Sequence, residues 1–439
     1  MAVDDRDRTS THTDSGLHAR VELSRRRLIG TVGAAGAGGL ALGAVGGVAG
    51  HAAAQPEPGA GLASVGGTEV PFTGEHQPGI TTPMQARGHL IAFDLAPGAG
   101  RKEAAALLRR WSATARRLMA GRTDARDSAV ALDAGPSSLT VTFGFGHSFF
   151  GRTGLAKQRP FALDPLPAFP ADRLDARRSD GDLWVQIGAD DALVAFDALR
   201  ALQREAGDTA RVRWQMNGFN RSPGATEKPM TTRNLMGQVD GTNNPKESEP
   251  DFRKRIFVPA QGTSGGSAGT SGGAADPDWM AGGSYAVVRR IRMLLDDWEK
   301  LSLGDQEQVI GRRKSDGAPL TGGSETTEPD LDKVRADGKP VIAANAHARI
   351  SRPDENGGAA MLRRPFSFHD GYDEDGVPDA GLLFICWQAD PRRGFVPVQR
   401  KLDRGDALSA FIRHESSGLF AVPGGARSGE YVGQRLLES

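Results

Sequence analysis

Leu139-Thr140-Val141-Thr142-Phe143-Gly144-Phe145 places a large apolar side chain at every second position, with threonine or glycine between. A period of two is the pattern of a strand with one face on a core, and a half-buried strand is expected here. On its N-terminal side, Glu103 to Met119 carries Leu108, Trp111, Ala115 and Leu118 at helical spacing, and His89 to Leu95 reads as a strand. On its C-terminal side Leu183, Val185 and Ile187 alternate again. Leu193, Phe196 and Leu199 then mark the apolar face of a helix, and Val212, Trp214 and Met216 a fourth strand. The order β-α-β-β-α-β is that of a ferredoxin-like antiparallel sheet with its helices on one face.

The second half repeats these element types without an obvious sequence repeat. Tyr285, Val287, Ile291 and Met293 read as a strand, Leu294 to Leu301 turns helical, and Ser302 with Asp305 makes a capping start for a further helix. Leu382 to Trp387 is a continuous apolar run expected to be a central strand, and Phe395 to Leu402 opens another helix. The fold class is therefore α+β, with two ferredoxin-like domains over residues 86–256 and 280–439. Between them, residues 257–279 hold the Gly/Ser/Thr/Ala-rich run 261–275, too poor in apolar residues to fold, which reads as a surface insertion.

A chain of 439 residues has room for two full cores. Its 54 basic and 54 acidic residues balance, so net charge suggests no nucleic-acid partner. The single cysteine, Cys386, lies in the apolar run and is expected to be a buried thiol; no intrachain disulfide can form. Residues 1–23 are polar and without periodicity. Ser24-Arg25-Arg26-Arg27-Leu28-Ile29-Gly30 is followed by an uncharged Gly/Ala/Val/Leu run to Gly50, and then by Ala52-Ala53-Ala54. A basic start, an apolar stretch and an A-x-A site make residues 1–54 a twin-arginine signal peptide, with a flexible leader over 55–85. The expected location is outside the cytoplasm, extracellular, periplasmic or at the cell surface, with the twin-arginine export machinery as a partner.

Of the nine histidines, His12, His18 and His51 precede the mature chain, leaving His76, His89, His147, His347, His369 and His414. None pair at zinc-ligand spacing, and there is no nucleophile elbow, phosphate loop or dinucleotide fingerprint. Met236-Gly237-Gln238-Val239-Asp240-Gly241-Thr242-Asn243-Asn244-Pro245 is first of all a turn that carries a carboxylate. His347-Ala348-Arg349 and Met361-Leu362-Arg363-Arg364 follow about a hundred residues later. One carboxylate, one imidazole and one guanidinium suffice for a haem site, which needs an axial imidazole and polar groups on the open face. His369, next to Asp370 in a turn-like acidic stretch, is a rival ligand.

Four motifs in order, Gly237-x-x-Asp240-Gly241-Thr242, Gly311-Arg312 through Gly317-Ala318-Pro319-Leu320, His347-Ala348-Arg349 with Met361 to Arg364, and Asp379-Ala380-Gly381-Leu382-Leu383-Phe384, give the chain its resemblance to the dye-decolorizing (DyP-type) peroxidases. It is similar to their twin-arginine-exported, deferrochelatase-like branch. The resemblance implies one haem b held mainly by the C-terminal half, with His347 as iron ligand and Asp379 accepting from its Nδ1–H. It further implies Asp240 as proton shuttle and Arg363, rather than Arg364, as distal cation. Gly241, Thr242 and Asn243 would lie against the macrocycle, and Arg349, Arg352 and Pro353 near its propionates. The implied reaction is hydrogen peroxide oxidising dyes, phenolics or other one-electron donors, with Trp184, Trp298, Trp387 or Tyr372 as electron relays. Iron release from haem, or a non-catalytic secreted haem carrier, are the alternatives, and a homo-oligomer is among the expected assemblies.

Overall fold

The computed structural model describes residues 66–124, 128–226, 230–260 and 276–439. The signal peptide, the first part of the leader (55–65) and the 261–275 run lie outside the described residues. Strands β1 (Arg87–Leu95), β2 (Thr140–Gly146), β3 (Leu183–Ala189) and β4 (Ala210–Phe219) pair antiparallel in the order β2-β3-β1-β4. Helices α1 (Arg101–Met119) and α2 (Ala192–Ala206) supply the two crossovers. This is the ferredoxin-like order.

The C-terminal half repeats it. Strands β5 (Ser284–Met293), β7 (Phe366–Tyr372), β8 (Pro378–Gln388) and β9 (Ile412–Val422) lie in the order β9-β5-β8-β7, and the two-residue β6 (Leu362–Arg363) also pairs with β8. Between β5 and β6 come α3 (Leu295–Glu299), α4 (Leu303–Ile310) and the single turn α5 (His347–Ile350); α6 (Phe395–Gly405) precedes β9. As expected, the Ser302 side chain caps α4, accepting from Asp305 N at 3.2 Å.

The two sheets also join edge to edge. Phe145 pairs with Ala421 between β2 and β9, and Phe219 with Ser367 between β4 and β7. Eight strands thus close on themselves through these two short seams. At the β4–β7 seam a Cβ on Gly218 would lie 2.4 Å from Phe366 Cβ, so only glycine fits there.

Closure corrects the expectation of half-buried strands. Every residue of β2 and β3 is buried, Thr140, Thr142 and Gln186 included. One face packs on α1 and α2 through Phe143, Val185 and Trp111; the other faces an inner layer with Leu90, Trp184, Ile385, Trp387 and Phe420. Helix α2 is where expected, but its face is turned. Leu193 (56% exposed) and Phe196 (44%) point outward, while Val194, Ala198, Leu199 and Leu202 are buried. Its cap sets that phase: the Asp191 carboxylate accepts from Leu193 N and Val194 N at 2.8 and 3.0 Å, and the alanines allow a close approach to the sheet. In β4, a register shift opposite Ala92/Phe93 turns Val212 out while Trp214 and Met216 stay in. His369 lies on a strand rather than in a turn, paired with Ala380 and exposed.

Candidate functional site

The Asp240 stretch is a turn with a built frame. Gly237, at φ +79°, donates its N–H to Asn234 O at 2.9 Å, and Arg233 bridges Val239 across the turn. Asp240 N donates to Thr232 O at 2.9 Å, which fixes the height of the carboxylate. Beneath, Trp298 Nε1 donates to Met236 O at 3.2 Å. Gly241 has φ +131°, and a Cβ there would lie 3.2 Å from Thr231 Cγ2, so this corner needs glycine. The Thr231 and Thr242 hydroxyls both donate to Glu325 Oε1, at 2.6 and 2.9 Å. Arg312 in turn donates to the carbonyls of Gly317 and Glu325, each at 2.8 Å, so the Gly311–Leu320 motif is a brace for the turn.

Arg363, on β6, reaches across to this turn and donates from Nη1 to Asp240 Oδ1 at 2.9 Å. Asn244 holds its main chain from both sides: Oδ1 accepts from Arg363 N at 3.1 Å, and Nδ2 donates to Arg363 O at 2.8 Å. Arg364 points the other way and is buried, donating to the carbonyls of Gly79 and Pro83 and to Gln85 Oε1. With no carboxylate beside it, burial pulls its pKa down to about 10.

His347 opens α5. Its Nδ1–H donates to Asp406 Oδ2 at 2.6 Å, and 31% of its side chain is exposed, against 1% for Asp406. The other Asp406 oxygen caps the turn after α6, accepting from Leu408 N at 2.9 Å, so this carboxylate cannot swing away. Burial works against a charged His347 ring, but the Asp406 carboxylate at contact distance, with Asp240 adding to it, leaves its pKa raised. Nε2 makes no hydrogen bond among the described residues. Asp240, Arg363 and His347 all line one cavity of ≈ 320 Å³, walled by Ile291, Met293, Leu382, Phe384, Val398 and others.

Residues 77–220 match the family model described as Dyp-type peroxidase, N-terminal, and residues 231–427 the one described as Dyp-type peroxidase, C-terminal. The chain is 45% identical over 376 residues to the dye-decolorizing peroxidase of Thermobifida fusca (strain YX), covering 83% of this chain and 84% of that protein. The chain belongs to the Dyp-type peroxidase family. It is also 35% identical over 431 residues to the deferrochelatase of Escherichia coli (strain K12), covering 95% and 97% of the two chains. Ferric DtpA from Streptomyces lividans superposes with a TM-score of 0.82 at 75% identity, over 86% of this chain and 99% of that one. As a Dyp-type peroxidase the protein is a haem-dependent enzyme with two ferredoxin-like halves. The C-terminal model begins at 231, so the Asp240 turn belongs to that match.

The cavity suits haem on its own chemistry. It has apolar walls for a macrocycle and one imidazole nitrogen left without a partner among the described residues. A carboxylate backs that imidazole, the arrangement that fixes a ligating histidine and raises its basicity. Gly241, Thr242, Asn243, Arg352 and Pro353 line it with Asp240, His347 and Arg363. Arg352 is already engaged by Glu328 and by Asp354, the latter at 3.0 Å.

Two expected contacts are corrected. Asp379 is not the partner of His347: it lies on β8 and accepts from Arg290 Nη2 at 2.8 Å, in a cluster with Asp370 and Glu415. Asp406 takes that place because the α6 terminus, not the β8 strand, packs beside α5. Arg349 does not line the cavity; its Nη1 donates to Leu331 O and Ile342 O at 3.2 and 3.3 Å, holding the loop before α5. Trp184, Trp298 and Trp387 are all buried and Tyr372 is exposed; the Trp184 and Trp387 rings stand 5.9 Å apart. Asp406, Asn244 and Glu325 were missed by the sequence reading. Asp406-Ala407-Leu408-Ser409 carries a capping signal, but nothing in it points to a histidine 59 residues earlier.

Proposed function

We propose that His347, backed by Asp406, would hold the haem iron and that Asp240 and Arg363 manage the peroxide. One observation carries this reading: the Asp240–Arg363 pair at 2.9 Å lines the same cavity into which His347 presents an unpartnered Nε2. Haem held there would supply the redox chemistry, two electrons for peroxide that external one-electron donors replace. Asp240 takes a proton from one peroxide oxygen and hands it to the other, which leaves as water. Arg363 offsets the negative charge that grows on the departing oxygen and, through its contact with Asp240, keeps the carboxylate aimed. The donors are dyes, phenolics or comparable one-electron reductants.

The test is spectroscopic and kinetic. His347→Ala is expected to lose the Soret band of the loaded protein. Asp240→Ala and Arg363→Ala keep it but slow the reaction with peroxide, by ~10²–10⁴-fold for loss of the acid–base group. Wild-type rates in both distal variants would overturn the assignment.

A second reading is favoured by the 35% likeness to a deferrochelatase across nearly the whole chain: release of iron from haem with the tetrapyrrole left intact. Incubating the loaded protein with an iron chelator and watching for metal-free porphyrin fluorescence separates it from peroxidase turnover. We also propose export by the twin-arginine route, on the strength of Ser24–Gly30 and Ala52-Ala53-Ala54. N-terminal sequencing of secreted protein is expected to begin just after Ala54, and loss of export in an Arg25→Lys, Arg26→Lys double variant checks the route.

A further inference from the structure

Asp240 has to pass a proton between two oxygens, and a carboxylate held at one point can swing about it. Arg363 holds Oδ1 at 2.9 Å. A second hold comes from Asn234, six residues earlier on the same turn, whose Nδ2 donates to Asp240 Oδ2 at 3.5 Å. The bond is long, as catalytic bonds commonly are before substrate is seated. Its direction is fixed by the other end of the amide. Asn234 Oδ1 accepts from Met236 N at 3.0 Å and from Gln238 N at 3.3 Å. Turning the amide over would set its NH2 group against two N–H donors and leave both unpaired.

The main chain of Asn234 is used as fully. Its N–H donates to Gln238 O at 3.0 Å, and its carbonyl accepts from Gly237 N at 2.9 Å. A side-chain oxygen accepting from the N–H two residues on is an Asx turn, which asparagine and aspartate serve alike. The donor on Asp240 is different, because only the amide supplies it; an aspartate would set one carboxylate against another. Asn234 and Asp240 both line the haem cavity.

We propose that Asn234 is a positioning residue for the peroxide reaction, its amide fixing the plane of the Asp240 carboxylate and keeping a like charge off it. The inference rests on the role given to Asp240 above. A carboxylate has about four acceptor sites, so with one taken by Arg363 and one by Asn234 two stay open for peroxide. Asp240 accepts a proton from one peroxide oxygen and releases it to the other, and Asn234 keeps both of its own.

Other charges surround the turn. His347 faces Asp240 from α5, and the carboxylate helps to raise the pKa of that ring. Glu325 is taken by the Thr231 and Thr242 hydroxyls, and Arg312 by main-chain carbonyls. Glu249 and Arg255, paired at 3.2 Å, line the cavity from the segment after the turn. Of these charged groups only Arg363 bonds the Asp240 side chain among the described residues.

Asn234→Asp tests the proposal, because it keeps the Asx turn and changes only the end that meets Asp240. Two carboxylates in contact share a proton and hold it to higher pH. The acid limb of the peroxide step, followed by stopped flow on the loaded enzyme, is expected to move up by about 1–2 pH units. Below that limb the rate falls ~10–100-fold, and it recovers as the pH rises. A residue that only shaped the turn would slow the step equally at every pH.

The second readout needs no haem. Asn234→Asp, Asp240→Asn and the double exchange are compared by urea denaturation of the haem-free protein. In the double exchange donor and acceptor trade places, so its midpoint is expected to lie above the value to which the two single shifts add. If Asn234→Asp alone does not fold, the double exchange is expected to restore folding. Additive midpoints, a double variant no better than Asn234→Asp, or an acid limb left in place would overturn the role of Asn234 while leaving Asp240 as the acid–base group. If the midpoints couple but Asp240→Ala keeps the wild-type peroxide rate, it is the reading of Asp240 that fails.

Discussion

Replacing Asp406 separates two accounts of the proximal side, because the resemblance pointed to Asp379 and the geometry to Asp406. The Asp406 carboxylate is 1% exposed, accepts from His347 Nδ1 at 2.6 Å and caps the following turn through Leu408 N at 2.9 Å. Asp406→Asn keeps the shape, but its single amide oxygen can accept from only one of the two donors: with the cap kept, the NH2 group faces His347 Nδ1 and the charge-assisted bond to the ring is lost. Haem affinity is then expected to fall ~10–100-fold, the usual cost of losing the partner of a ligating histidine. The iron reduction potential rises, because a less basic imidazole stabilises the oxidised metal less. Asp406→Ala loses the cap as well, and the haem-free protein is expected to be destabilised by about 2.5–4 kcal/mol, from a charged hydrogen bond and an N-cap together. Urea denaturation of the haem-free proteins, haem titration followed at the Soret band, and a spectroelectrochemical titration read these three quantities. If Asp379→Asn shifts the potential and Asp406→Asn does not, the proximal assignment is wrong. Asp379→Asn is expected instead to act on stability alone, through the Arg290 cluster.

Three further outcomes follow from distances already given. Asn244→Ala frees the Arg363 main chain, losing two hydrogen bonds worth about 1–3 kcal/mol in all, and is expected to slow the peroxide step while the Soret band persists; stopped-flow mixing with peroxide measures it. Gly241→Ala forces an L residue to φ +131° beside Thr231, at a cost of about 1–3 kcal/mol, and is expected to lower the melting temperature and displace Asp240, slowing the same step. His414 is buried, and burial with Arg289 nearby pulls its pKa to about 3. The unfolded chain takes up that proton near pH 6.5, so stability is lost as the pH falls from about 6.5 toward 3, by about 5 kcal/mol in total. His414→Gln in the haem-free protein is expected to flatten the acid limb of the stability curve, and an unchanged slope would contradict a neutral buried ring.

The local grammar of this chain is strong enough to be read directly. Alternation at Leu139–Phe145 and Leu183–Ile187, and helical spacing at Leu108–Leu118, name their elements because each depends only on neighbours along the chain. The Asp240 turn is legible for the same reason: Gly237 and Gly241 occupy backbone angles that other residues rarely adopt, and the sequence shows both. Asp240, His347 and Arg363 could be named because their motifs are contiguous. What lies across the fold could not. Closure of the two sheets decides that Thr140 and Thr142 are buried, since strand period says which side chains share a face but not what covers it. Likewise Arg363 and Arg364 are equivalent in sequence and opposite in space, because β6 pairs with β8 and sends alternate side chains to opposite sides. The partner of His347 was beyond the sequence altogether. Both Asp379 and Asp406 sit at plausible turns, and only the packing of the α6 terminus against α5 brings one carboxylate to 2.6 Å and leaves the other to an arginine.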